Sequence, residues 1–144
     1  MWWHCYLRRG IVYLPTVGVI DKGFYRKIEP VAVVPLTNTE AALRKALRDT
    51  IARGNPKVPS LGQSQKPPPV VLKYAGVKTW TAFAHATSTW GFGEQDGAFQ
   101  IVGYRDSATG GWEQDPDNIV TLPSGSTSEE AVDRIIPILQ AATR

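Results

Sequence analysis

The chain has 144 residues, with 42% hydrophobic and 20% charged side chains and a formal net charge of +3. That length and balance describe one globular domain, residues 1–144, large enough for its own core, and exclude a disordered or fibrous chain. The single cysteine, Cys5, excludes an intramolecular disulfide framework and a cysteine-based zinc cluster.

Taken in chain order, Trp3, Cys5 and Leu7 alternate with His4 and Tyr6, which predicts a strand. Arg8, Arg9 and Gly10 form a turn, and Ile11–Leu14 resumes with β-formers. Asp21-Lys22-Gly23 is a second turn, Phe24 and Tyr25 open a short extended piece, and Val31–Val34 reads as a buried strand. A helix follows over about 39–53. Thr37 with Glu40 has the spacing of a capping box, Leu43, Ala46, Leu47, Thr50 and Ile51 recur at helical spacing, and Gly54 and Pro56 stop the run.

Residues 55–69 are rich in proline and polar side chains and are expected to form a surface loop, partly polyproline II. Val70–Leu72 reads as a strand, and 78–85 as a short helix. Thr87–Phe92 and the segment around Phe99 and Ile101 pair as a hairpin with its turn at Gly93–Gly97. Residues 106–118 read as a loop, and Ile119–Leu122 as a short strand. The last element is a helix over about 127–142. Ser126 with Glu129, or Thr127 with Glu130, caps it, and Pro137 is expected to bend it near Asp133–Pro137. The sum is an α+β domain: a largely antiparallel sheet with two main helices.

The search for chemistry yields little. His4, His85 and Cys5 lack metal-ligand spacing, so no metal or cofactor is expected. Cys5 reads as a buried structural thiol and His85 as an ordinary surface histidine. Gly91-Phe92-Gly93 lacks the third glycine of a dinucleotide fingerprint, and no nucleophile elbow is present. The expectation is a chain without catalysis. The first residues lack a signal-peptide pattern and no apolar run approaches bilayer length, so a cytoplasmic protein without a membrane partner is expected.

Charge is unevenly spread. Residues 1–89 hold 13 basic and 4 acidic side chains, and residues 90–144 hold 3 and 9. Glu94, Asp96, Glu113, Asp115 and Asp117 are interleaved with aromatics, among which Trp112 in a Gly-Gly-Trp-Glu segment is the best exposed anchor. Trp80, Trp90 and Phe99 read as core. Aromatic anchors ringed by carboxylates suit a basic protein partner. The competing possibility is a nucleic-acid-binding domain using Arg8, Arg9, Arg44, Lys45, Arg48 and Arg53. Against it, Glu40–Arg44, Lys45–Asp49 and Asp49–Arg53 are spaced for ion pairs along one helix.

The segments Val71–Phe83, Asp96–Tyr104, Gly111–Pro116 and Leu122–Glu130 resemble immunity proteins of contact-dependent growth inhibition. The resemblance spans most of residues 70–142. It implies a small cytoplasmic protein that binds the C-terminal toxin domain, often a nuclease, of one cognate effector and blocks it. No catalytic residues carry over. Glu94, Asp96, Trp112, Glu113, Asp115 and Asp117 are the toxin-contact candidates on charge and aromatic placement, and no direct contact with nucleic acid is expected.

Overall fold

The computed structural model describes residues 1–61 and 67–142. Its strands are β1 (Trp2–Arg8), β2 (Ile11–Val19), β3 (Tyr25–Pro35), β4 (Thr87–Gln95), β5 (Ala98–Asp106) and β6 (Trp112–Thr121). Its helices are α1 (Glu40–Arg53), α2 (Val71–Ala75), α3 (Trp80–Ala84) and α4 (Ser128–Ala141). The strands form one six-stranded sheet in the order β3-β2-β1-β4-β5-β6, antiparallel throughout. The domain is α+β, as its sequence predicts.

Two tight hairpins set the register. Arg9 and Gly10 both adopt positive φ between β1 and β2, and Asp96 and Gly97 do so between β4 and β5. That pair of left-handed residues is the two-residue turn whose twist matches the flanking strands. The second turn is shorter than the predicted Gly93–Gly97. Gly93 stays in β4 opposite Trp2, where an added Cβ would lie 2.1 Å from the Met1 carbonyl oxygen.

Alternation along β1 sends Trp3, Cys5 and Leu7 to one face and His4 and Tyr6 to the other. The first face continues through Val12, Leu14, Phe92 and Ile101 and packs under α1 and α4. From above, α1 inserts Leu43 and Leu47, and α4 inserts Val132, Ile135, Ile136 and Leu139. Cys5 is fully buried here, and burial pushes its thiol up to about 12, so it is an inert core residue. The two helices are also bridged by charge: Arg44 reaches Asp133 at 2.6 Å and Glu129 at 3.1 Å, and Arg48 reaches Glu129 at 2.7 Å. On the opposite face Tyr6 and Tyr13 meet Val71, Leu72 and Phe83 from the two five-residue helices α2 and α3.

Several local expectations are corrected. Val70–Leu72 is not a strand: Val71 and Leu72 begin α2 and bury their side chains on the second face, a short apolar run being compatible with either structure. Thr37 does not cap α1. The N-cap is Thr39, without a side-chain cap bond. At α4 the Thr127–Glu130 pair forms the capping box and Ser126 lies outside it. Pro137 does not begin a new helix, since α4 runs through it. It is on the exposed side, where water can satisfy the carbonyl left without a donor. Val31–Val34 belongs to a much longer edge strand, of which Val34 is buried and Val33 is 40% exposed. Of the 55–69 loop, the described part is a surface segment, except that it clips onto β2 through Val19–Pro56 and Val58–Val19 backbone bonds. Residues 62–66 lie outside the described residues.

Candidate functional site

Only residues 107–111 of the expected 106–118 loop form a turn between strands, and Asp106 ends β5. The rest belongs to β6, the edge strand that pairs with β5 through Arg105 opposite Glu113 and Tyr104 opposite Gln114. A strand with Pro116 and polar side chains on both faces carries no period-two apolar signal, and an edge position tolerates it. Glu113, Asp115 and Asp117 therefore sit on the sheet's edge rather than on a mobile loop. They are not three equivalent open charges. Arg105 lies 3.1 Å from Glu113 and 3.6 Å from Asp115. Asp115 also accepts from the Asp117 amide at 3.0 Å and the Asn118 side chain at 2.8 Å, which organises the irregular middle of the strand.

Glu94 and Asp96 are exposed at the other end of β5, beside the β4–β5 turn. Ala98 and Arg105 mark the two ends of that pairing, so the acidic groups lie about 23 Å apart at roughly 3.3 Å per residue. The structure thus does not gather the carboxylates into one pocket. It places Glu94 and Asp96 at the β4–β5 turn end of the sheet and Glu113, Asp115 and Asp117 on the β6 edge.

Trp112 differs from its expected role. It is half-buried, with its ring 6.2 Å from Tyr6 and 5.6 Å from Trp80. Trp80, expected in the core, is instead 38% exposed. Both indoles wall a cavity of about 390 Å³ on the second face of the sheet. Phe99 is buried and Trp90 packs against the main core, as expected.

The floor of that cavity is the sheet itself. His4 of β1 and Thr89 of β4 face it, with Tyr6 opposite Thr89 and Tyr104 of β5 to one side. Thr89 is small, which leaves room above the floor. Gly91, opposite His4, lets the Trp2 indole lie flat against the sheet beside the cavity. A Cβ there would lie 2.6 Å from the Trp2 indole. The roof and rim come from the Pro69–Val71 segment, α3 through Trp80, and Lys27 of β3.

The polar groups of the floor are incompletely used. His4 Nε2 and the Tyr104 hydroxyl share a hydrogen bond at 3.3 Å, whereas His4 Nδ1 and Thr89 Oγ1 are buried without a partner. Burial, reinforced by the Lys27 charge, holds the His4 imidazole down at about 3, so it is neutral at physiological pH. Burial also lowers the Lys27 ammonium below its ordinary value. Neutral imidazole and hydroxyl groups against indole walls can bind by hydrogen bonding and stacking. Among the described residues no group of His, Cys, Asp and Glu is placed to hold a metal ion. His85 is exposed, away from this cavity.

Lys27, Thr89 and Tyr104 carry no site signal in the sequence, and His4 stands out there only as a metal-ligand type without the spacing for it. One signal was present: on β1 the second face reads Trp2, His4, Tyr6, an aromatic and polar series rather than the charged face of a solvated strand. Nothing local links it to Lys27 or Thr89, which topology brings from distant segments.

No protein-family model matches the sequence, and no curated protein matches it. The fold is similar to that of a protein of unknown function from Neisseria meningitidis, with a TM-score of 0.64 and 14% identity over 99% of this chain and 94% of that one. The likeness shows that the whole domain, edge strand included, follows a known architecture. No helix among the described residues is long and apolar enough to cross a membrane.

Proposed function

We propose that this chain is an immunity protein of contact-dependent growth inhibition, acting in the cytoplasm to bind and block the C-terminal toxin domain, a nuclease, of its cognate effector, with no catalysis of its own. The observation that carries the reading is the set of exposed carboxylates at this side of the sheet: Glu94 and Asp96 at the β4–β5 turn end and Glu113, Asp115 and Asp117 along the β6 edge. A standard interface of about 800 Å² per partner is a disc about 32 Å across, so one basic partner covers both ends. The unpaired outer edge of β6 adds backbone donors and acceptors to the same surface. Arg44 and Arg48 are engaged by α4 carboxylates, so α1 offers fewer open cations to a nucleic-acid backbone than its sequence suggests.

Co-expression with the toxin domain encoded immediately upstream is expected to rescue growth and yield a tight, salt-sensitive complex. No complex at micromolar concentration overturns the reading. Charge reversal at Glu94, Asp96 and Asp117 together is expected to slow association about tenfold at low salt, with a smaller change in dissociation. An unchanged on-rate rejects these carboxylates as the steering surface. Retention on heparin at low salt that falls steeply with added salt would favour the nucleic-acid reading instead.

A further inference from the structure

We propose that the cavity on the second face is a binding site for a small planar aromatic anion: a two-ring body against Trp80 and Trp112, an anionic group at Lys27, and a hydrogen-bonding substituent on the His4–Thr89 floor. The size fits. About 390 Å³ lies within the range of small-ligand pockets. The walls are flat and apolar, and the two indoles meet edge to face, interplanar angle 71°, leaving a corner that a flat ring can enter.

The polar groups specify the rest. His4 and Thr89 both line the space, and His4 Nδ1 and Thr89 Oγ1 are buried there without a partner. Such groups cost free energy until something bonds to them. Tyr104 fixes the imidazole through Nε2, which leaves Nδ1 as the nitrogen without a partner. The Thr89 hydroxyl both donates and accepts, so a ligand hydroxyl or amide can bond to the floor in either sense. Lys27 supplies the charge preference. Among the described residues no carboxylate lies within ion-pair distance of it, while Glu29, two residues on, is taken by Lys73 and Tyr74. A half-buried ammonium facing an apolar cavity favours an anion there.

The test is calorimetric titration of the full chain with 6-hydroxy-2-naphthoate, 2-naphthol and 2-naphthoate. The first is expected to bind most tightly. Removing its carboxylate should weaken binding about tenfold, and removing its hydroxyl about fivefold. Lys27→Met should abolish the advantage of the hydroxynaphthoate over naphthol, and Thr89→Val its advantage over naphthoate. Each variant's amide spectrum confirms the fold. Should Thr89→Val not fold, Thr89→Ala provides the same comparison. Absence of binding up to millimolar ligand overturns the proposal, as does equal binding of all three compounds in the unaltered chain. The titrations use the chain alone, so they succeed or fail separately from the immunity reading.

Discussion

The two faces of the sheet are built differently. Over the first face lie two fourteen-residue helices, each sending a stripe of aliphatic side chains into the strands and joined to each other by Arg44, Arg48, Glu129 and Asp133. Over the second lie two helices of five residues, packed through Val71, Leu72 and Phe83 and leaving the aromatic cavity beside them. Helices that short are not stable alone and hold only through tertiary contact. The first face therefore carries the stability, and the second carries the open polar groups. A protein built this way can change what its second face binds without endangering its core.

The largest effect should come from the first face. Leu47 is fully buried, and Leu47→Ala is expected to cost about 3–4 kcal/mol in denaturant unfolding, with the cavity left by the lost atoms adding to the transfer cost. Phe83 is equally buried, yet Phe83→Ala should cost only about 2 kcal/mol, below the usual range of roughly 3–5 for such a truncation. Its helix is held by the Thr79 cap on the Ala82 amide and by the Thr87 hydroxyl donating to the Phe83 carbonyl. It can detach locally and limit the loss. Faster amide exchange confined to 71–84 in this variant would confirm the difference. An equal or greater loss than for Leu47→Ala would show the faces to be one cooperative unit.

The next test lies in His4, on the floor of the cavity. Its imidazole is held near 3 in the folded protein and titrates near 6.5 when unfolded. The unfolded chain thus binds the extra proton first as pH falls, and stability must decline below about pH 6.5 until the folded group titrates. By pH 5 the decline should reach roughly 1–2 kcal/mol. His4→Gln should flatten this part of the profile. An unchanged slope would mean that the second face is wetter than its burial suggests.

What could be read from the sequence divides along the same line. The apolar stripes of α1 and α4 repeat at helical spacing within one segment, so both helices and most of their buried residues were legible. The Thr127–Glu130 box was legible because its parts are three residues apart, while the same spacing at Thr37–Glu40 misled because the chain enters α1 two residues later. On the second face, α2 is too short for a period to show, and β6 is polar on both sides. The carboxylates were identified as residues but misplaced on a loop. The cavity was invisible because its floor joins His4 to Thr89 through strand pairing and its rim joins Lys27 to Trp112 across the sheet.

The smallest effect returns to the first face. Glu129 accepts from both Arg48 and Arg44, and the hydrogen bonds from Arg48 are the main reason its carboxyl is held below the ordinary range. The group is exposed, so water and salt screen most of the interaction. Its stabilisation is present above the unfolded carboxylate value and is lost as pH falls through the lower folded value. Glu129→Gln should therefore lower the melting midpoint by about 1 °C at neutral pH and low salt. The difference should vanish in 1 M salt and at a pH where both chains carry a neutral side chain. A loss of several degrees that persists in salt would mean that the α1–α4 bridge, rather than the aliphatic stripe beneath it, holds the first face together.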